Sequence, residues 1–242
     1  MENCTRSSVR KPSIQSTGLW SIVPLNMRDD ALNSNLLESS IREVRQKILT
    51  KEIDIRIPTE IAKTHRNLSP GRNTYLATND ENIQRQVDQL ESLDQVPLAG
   101  IPISIKDCFD VAGYPTSSGS RFYQERSGVR LADSAVAQQV RSAGGIVTGK
   151  THLNQLAYGL TGENRDFGNC LQPGNPTLLT GGSSSGAVAS VLEGSAMCAI
   201  GTDTGGSIRF GSRGLHARAA IGVSALPKNA LVEIQMVAAT QQ

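Results

Sequence analysis

Apolar residues recur every three or four positions in two segments of the front third, which predicts two amphipathic helices. The first helix is capped by Ser34 or Asn35, and the second follows Asp80. Their apolar positions are Leu37, Ile41, Val44 and Ile48 in the first, and Ile83, Val87, Leu90 and Leu93 in the second. Between them, the isoleucines from Ile53 to Ile57 alternate as in a short strand, which Pro58 ends. Residues 1–32 show no period, and we expect a loose leader there.

From Pro97 onward, short apolar runs alternate with helical repeats. The predicted strands lie at 101–105, 146–148 and 196–200, and the predicted helices at 133–142, 152–160 and 185–192. Asp133 is placed to cap the first of these helices, and the pair Gly144–Gly145 closes it. Strands and helices that alternate at this length predict an α/β fold, with a sheet covered by helices on both faces.

The composition is that of an ordinary soluble protein and narrows the function classes. A net charge of +2 and only 4% aromatic residues argue against a nucleic-acid partner, which needs a basic patch or stacking platforms. The cysteines form no C-x-x-C pair, which argues against a zinc or disulfide framework; they are Cys4, Cys108, Cys170 and Cys198. No apolar run approaches the ~18–20 residues of a membrane span, and no secretory signal is evident. We expect a cytoplasmic protein without a metal or cofactor.

The segment from Gly144 to Thr151 satisfies the phosphate-loop pattern G-x-x-x-x-G-K-[ST]. A phosphate loop requires a strand before the first glycine and a helix after the lysine. Here a helix precedes Gly144, and Ile146 to Thr148 favours a strand. We therefore interpret the match as a connection between elements rather than a nucleotide site.

Two Gly-Ser runs flank the last predicted helix and strand, where a flexible linker is out of place. They are Gly-Gly-Ser-Ser-Ser-Gly at 181–186 and Gly-Thr-Asp-Thr-Gly-Gly-Ser-Ile-Arg at 201–209. Acyl transfer needs an exposed hydroxyl beside consecutive backbone N–H groups, and glycines let a substrate carbonyl approach such groups closely. The second run offers this arrangement from Thr204 to Ser207.

No histidine lies in a block that resembles a Ser-His-Asp constellation; the chain has His65, His152 and His216. Another group must therefore activate a serine, and a desolvated lysine can do so. Lys106, which ends a predicted strand, is the candidate. To act as a base it must be neutral, which requires a pKa about 3 below its ordinary value of ~10.4.

Three spaced blocks together resemble the amidase signature family. They are Gly100-Ile-Pro-Ile-Ser-Ile-Lys106-Asp107 and the two Gly-Ser runs. The segments Gly149 to Asn154 and Gly162 to Asn164 also resemble sequences that are usual in this family. The resemblance covers roughly residues 70–210. It implies the family's fold, which is a mixed β-sheet core covered by helices on both faces, here incomplete at the C-terminus.

The resemblance also implies roles for individual residues. Ser207 would be the nucleophile, Ser183 the bridging serine that follows a cis peptide bond, and Lys106 the base. The oxyanion hole would be formed by backbone N–H groups of Thr204, Gly205 and Gly206, with Asp203 and Arg209 as structural supports. The implied reaction is hydrolysis of a carboxylic amide to an acid and ammonia or an amine, through an acyl-enzyme and without a metal or cofactor.

The resemblance divides the chain into the leader, an N-terminal part of an amidase domain at 33–210, and a divergent tail at 211–242. After Phe210 the sequence lacks the proline that the family places there. Two hypotheses therefore stay open. The chain is either an active amidase, alone or with a partner protein, or a non-catalytic amidase-like fragment that serves as a binding or scaffold piece or is an unstable truncated product.

Overall fold

A computed structural model describes residues 36–68, 70–90, 93–208, 218–221 and 234–238. The helices are α1 (Ile41–Leu49), α2 (Ile57–Asn67), α3 (Asp80–Asp88), α4 (Arg121–Ser127), α5 (Ala135–Ser142) and α6 (Ser185–Leu192). The strands are β1 (Tyr75–Ala77), β2 (Pro102–Lys106), β3 (Ile146–Thr151), β4 (Leu171–Gln172), β5 (Asn175–Leu179), β6 (Cys198–Ile200), β7 (Arg218–Ile221) and β8 (Ile234–Ala238).

Six of the described strands form one mixed sheet in the order β1-β3-β2-β6-β8-β7, and β4 and β5 form a separate hairpin. The central strand β2 pairs in parallel with both β3 and β6. The outer pairs β1–β3, β6–β8 and β7–β8 are antiparallel. Since the three central strands run in the same direction, their carboxyl ends meet at one edge, where open α/β sheets place their binding sites. The predicted α/β class is confirmed.

Helices pack on both faces of β2. On one face, the Ser104 hydroxyl lies 2.8 Å from the Ser190 hydroxyl of α6. Successive side chains of a strand point to opposite faces, so Ile103 and Ile105 face the other layer. The buried apolar core that they join includes Val44 and Ile48 of α1, Ile101, Val111, and Val140 of α5.

The first predicted helix begins later than its apolar repeat indicated. Leu36–Glu38 forms a short 3-10 turn, and α1 begins after Ser40. The Glu43 N–H donates to the Ser40 hydroxyl at 3.3 Å, and the Ser40 N–H donates to the Glu43 carboxylate at 2.8 Å. This capping box satisfies two amide groups at the helix start, and it sets a boundary that apolar spacing does not define. The proposed caps Ser34 and Asn35 lie outside the described residues.

The short strand predicted around Ile53 and Ile57 is wrong. Turns occupy this segment, and Ile57 begins α2, with Pro58 in its first turn. Proline is favoured there because the missing N–H has no helical partner in any case. The second predicted helix is confirmed as α3, which is capped by Asn79 but ends at Asp88, before Leu90 and Leu93 of the predicted repeat.

The helix predicted at 152–160 is also wrong. Only one 3-10 turn forms, at Gln155–Ala157, and Leu156 and Ala157 have φ values of 55° and 58°. Two successive residues in the left-handed region cannot continue a right-handed helix. The elements predicted at 133–142, 185–192 and 196–200 are confirmed as α5, α6 and β6, although Ser134 caps α5 in place of Asp133. The leader lies outside the described residues.

Candidate active site

Lys106 ends the central strand β2, and its side chain is fully buried. Its Nζ lies 2.8 Å from Ser183 Oγ, 2.9 Å from Ser184 Oγ and 2.6 Å from Thr202 Oγ1. All three of these groups are hydroxyls rather than carboxylates. The structure therefore brings the predicted base and the predicted bridging serine into direct contact.

The electrostatic environment of Lys106 favours its neutral form. Burial lowers the pKa of Lys106 from 10.5 to about 8, because the ammonium loses its water shell. The nearby groups Cys108 and Asp203 act in the opposite direction and raise this pKa, but burial has the larger effect. A lysine with this pKa is partly neutral at physiological pH, and it can then accept a proton.

The bridging serine lies in a tightly constrained turn before α6. The peptide bond between Gly182 and Ser183 is cis, in agreement with the family resemblance. A Cβ on Gly182 would collide with Asn154 Oδ1, so any other residue here would displace the Asn154 side chain. The Asn154 N–H donates to the Ser183 carbonyl at 3.2 Å. The loop after β3 therefore supports the Ser183 turn.

Ser184 links Lys106 to the segment that follows β6. Its hydroxyl donates to the Thr202 carbonyl at 3.0 Å and accepts from the Thr202 N–H at 3.2 Å. A hydroxyl has one proton to donate, and here the carbonyl takes it. Toward Lys106, the Ser184 hydroxyl can therefore only accept a hydrogen bond.

Ser207 is placed beside the other two residues by its backbone. The Ser184 N–H donates to the Ser207 carbonyl at 2.9 Å, which brings the 203–208 segment against the Ser183–Ser184 turn. The Ser207 side chain is half-buried. In the described part of the chain, no hydrogen bond joins the Ser183 and Ser207 hydroxyls. The structure thus joins Lys106 to Ser183 and brings the Ser207 backbone against the neighbouring Ser184.

Asp203 organises the loop that carries Ser207. Its carboxylate accepts from the Gly206 N–H at 2.7 Å and from the Ile208 N–H at 3.3 Å, and its side chain is buried. Thr204 and Gly205 are exposed. Their role in an oxyanion hole stays a prediction, whereas the Gly206 N–H, which was predicted for the same role, already donates to Asp203. The supporting role of Arg209 also stays a prediction, because this residue lies outside the described residues.

The phosphate-loop match at 144–151 belongs to the sheet. Ile146–Thr151 is strand β3, all of it buried. The predicted strand in this segment is confirmed, although a 3-10 turn and not a helix follows it. The buried Lys150 forms an ion pair with Asp107 at 2.5 Å.

Sequence reasoning missed a buried histidine beneath the Ser183 turn. His152 Nε2 lies 2.8 Å from the Gly168 carbonyl, and its Nδ1 lies 2.7 Å from the Ser185 hydroxyl. Burial lowers the pKa of His152 to about 4, so the ring is neutral at physiological pH. A carbonyl can only accept, so Nε2 carries the proton and Nδ1 accepts from Ser185. The position of His152 directly after a buried strand could have indicated that it is buried. The incorrect prediction of a helix at 152–160 hid this indication.

Among the residues that the structure describes, no group of three or more His, Cys, Asp or Glu side chains is arranged to hold a metal ion. In the same part of the chain, no helix has the length and apolar character that crossing a membrane requires.

Comparison with known proteins identifies the family. The sequence model of the Amidase family matches residues 35–212. The A-subunit of the glutamyl-tRNA(Gln) amidotransferase of Synechococcus sp. (strain WH7803) is 34% identical over 177 residues, which cover 70% of this chain and 36% of the relative. Its counterpart in Carboxydothermus hydrogenoformans is 35% identical over 179 residues, with the same coverage. The chain thus spans little more than a third of the length of these relatives.

Solved structures give the same result. An amidase crystal structure superposes with a TM-score of 0.63 at 28% identity, over 71% of this chain and 40% of that one. The Kluyveromyces lactis allophanate hydrolase gives 0.66 at 26% identity, over 84% of this chain and 35% of that one. The family match covers most of the chain, including Lys106, Ser183 and Ser207. This chain belongs to the Amidase family.

Proposed function

We propose that this chain carries the catalytic relay of an amidase, which hydrolyses a carboxylic amide to an acid and ammonia or an amine. Ser207 is the nucleophile, Ser183 the bridging serine and Lys106 the base. The observation that carries the proposal is the fully buried Lys106, whose nitrogen contacts the Ser183 hydroxyl at 2.8 Å. A buried lysine whose nitrogen contacts hydroxyls is suited to accept a proton.

The hydrogen-bond partners of Lys106 allow the proposed direction of proton transfer. A neutral lysine has two N–H donors and one lone pair, and three hydroxyls surround it here. Ser184 can only accept, so it takes one N–H. Ser183 and Thr202 share the second N–H and the lone pair. In the proposed relay Thr202 accepts, and the Ser183 hydroxyl donates to the lone pair, which leaves the Ser183 oxygen able to accept from Ser207.

In the proposed reaction, Lys106 takes the Ser183 proton while Ser183 takes the proton of Ser207. The Ser207 oxygen bonds to the amide carbonyl carbon, and the leaving nitrogen is protonated through Ser183. Water then hydrolyses the acyl-enzyme ester and releases the acid. The developing oxyanion needs backbone donors. Since Asp203 already accepts from the Gly206 N–H, the proposed donors are the N–H groups of Thr204, Gly205 and Ser207.

A fluorophosphonate reagent, which phosphonylates an activated serine, tests the proposal. Wild type is compared with Ser207→Ala, Lys106→Ala and Ser183→Ala. The exposed residue Ser142 at the end of α5 provides a matched control as Ser142→Ala. We expect labelling of wild type and the control and none of the three variants. If wild type is labelled, a separate sample that has not met the reagent is assayed for ammonia release from glutamine and from small alkyl and aryl amides.

The alternative is a non-catalytic amidase-like piece. The exposure of Thr204 and Gly205 favours this alternative. It is also favoured by the absence, in the described part of the chain, of a hydrogen bond between the Ser183 and Ser207 hydroxyls. A soluble, cooperatively unfolding chain that resists the reagent would support this alternative over the enzyme. Because two of the relatives are named as components of an amidotransferase, a partner protein is part of the same proposal, and labelling is repeated after co-expression with candidate partners.

A further inference from the structure

A second fully buried lysine lies next to Lys106 in the sheet. Lys150 belongs to β3, and its Nζ contacts Asp107 Oδ1 at 2.5 Å, the Pro115 carbonyl at 3.0 Å and Thr116 Oγ1 at 3.1 Å. Three acceptors match the three protons of an ammonium group. Asp107 is equally well satisfied, because its other oxygen accepts from both the N–H and the hydroxyl of Ser117.

A β-bulge decides which face of the sheet Lys150 occupies. Ile103 pairs with Val147, but Ser104 pairs with Gly149, so β3 has one extra residue, Thr148, between them. After the bulge, Lys150 pairs with Ile105 in the strand register. Paired residues of parallel strands point to the same face, so Lys150 lies on the face opposite Lys106. Without the extra residue, the two lysines would be level and on the same face.

The bulge depends on a glycine. Gly149 has φ +154°, and a Cβ there would lie 2.8 Å from the Ala77 carbonyl oxygen of β1 and 2.8 Å from a Tyr75 ring carbon. The glycine-lysine pair that imitates a phosphate loop therefore has a structural role: Gly149 permits the bulge, and the bulge directs Lys150 toward Asp107.

Charge is the reason why this placement matters for Lys106. Asp107 follows Lys106 directly, and a buried carboxylate without a counter-charge would favour the ammonium form of a nearby lysine. Lys150 cancels that negative charge on the far face. The other charged or titratable groups near the two lysines are Cys108, Asp203, and Asp110 with its partner Arg130.

We propose that Lys150 is a positioning residue of the relay: it neutralises Asp107 and anchors the end of β2, so that Lys106 can release its proton. The inference rests on the proposed function only for its catalytic consequence. The proposed coupling between the Asp107–Lys150 pair and the protonation of Lys106 can be measured in the folded chain whether or not the chain is active.

The test follows the Nζ resonance of Lys106 by NMR against pH in lysine-labelled protein, with the signal assigned by its loss in Lys106→Met. Lys150→Met leaves Asp107 unpaired and should raise the pKa of Lys106 by about one pH unit. Asp107→Asn leaves Lys150 unpaired and should lower it by a similar amount. The double variant carries neither charge and should return the pKa close to the wild-type value. Lys150→Arg keeps the charge and is the matched control.

We expect the two single variants to shift the pKa of Lys106 in opposite directions, and we expect the two shifts to cancel in the double variant. If neither single variant moves the Lys106 pKa, or if both move it in the same direction, the proposal is wrong. If Lys150→Met does not fold, the comparison of Asp107→Asn with the double variant still decides, since adding Lys150→Met must then raise the pKa. Absence of fluorophosphonate labelling in wild type, both alone and co-expressed with candidate partners, would refute the proposed activity and leave this titration unaffected.

Discussion

The desolvation of Lys106 predicts a specific pH dependence of stability. The pKa of Lys106 is about 8 in the folded chain, against 10.5 for the free side chain. Between these values the unfolded chain binds more protons than the folded one, so the free energy of unfolding increases as pH rises. Lys106→Met removes this dependence. Relative to that variant, wild type should gain about 2–3 kcal/mol between pH 7 and pH 10.

The measurement is urea unfolding followed by far-ultraviolet circular dichroism at half-unit pH intervals. The difference between wild type and Lys106→Met is the relevant quantity, because other titrating groups contribute to both proteins. Lys47→Met gives the baseline for loss of a lysine whose side chain is 40% exposed. A difference that stays constant, or falls, from pH 7 to pH 10 would show that Lys106 is not desolvated and would remove the physical basis for its role as a base.

Three further outcomes are expected. Ser184→Ala removes one acceptor of Lys106 and should reduce fluorophosphonate labelling at least about tenfold while costing about 1–3 kcal/mol of unfolding free energy, measured in urea. Gly186→Ala should prevent soluble expression, because its Cβ would collide with backbone atoms of Thr74 and His152. The control is Gly174→Ala, whose Cβ meets nothing within 4 Å and which should lose only about 1–2 kcal/mol of unfolding free energy through its positive φ. The His152 pKa of about 4 means that, as pH falls, the unfolded chain takes up this proton before the folded chain does. Wild type should therefore lose stability between pH 6.5 and pH 4 in the same assay, and His152→Gln should abolish that loss.

The central sheet was predictable because its strands are continuous apolar runs bounded by turn residues. Such runs mark strands buried on both faces, and β6 follows this rule, whereas β2 is buried although it contains Ser104 and Lys106. Through the family resemblance rather than through spacing, the three sequence blocks also predicted the contact between Lys106 and Ser183, while the contact between Ser183 and Ser207 stays a prediction. The helix prediction at 152–160 failed because Leu153, Leu156 and Leu160 have the spacing of a helical repeat.

The loop at 152–160 is set by contacts from distant parts of the chain, which no local pattern contains. The Asn154 side chain accepts from the Gly162 N–H at 3.0 Å, and the Leu160 carbonyl accepts from the Gly182 N–H at 2.9 Å. These bonds fold the segment against the Ser183 turn. Ser184 and Thr202 were missed for a related reason: in sequence, a hydroxyl residue of a Gly-rich turn looks like any other turn former.

The position of β2 has a consequence for how the candidate site opens. Both edges of β2 are hydrogen-bonded to neighbouring strands, and all five of its residues are buried, so its amide hydrogens should exchange only when the whole sheet unfolds. The 203–208 segment contains the exposed residues Thr204 and Gly205 and should open at much lower free energy. We therefore expect Lys106 to stay in place while Ser207 leaves and returns, so that the loop rather than the strand would set the fraction of time for which the proposed relay is assembled.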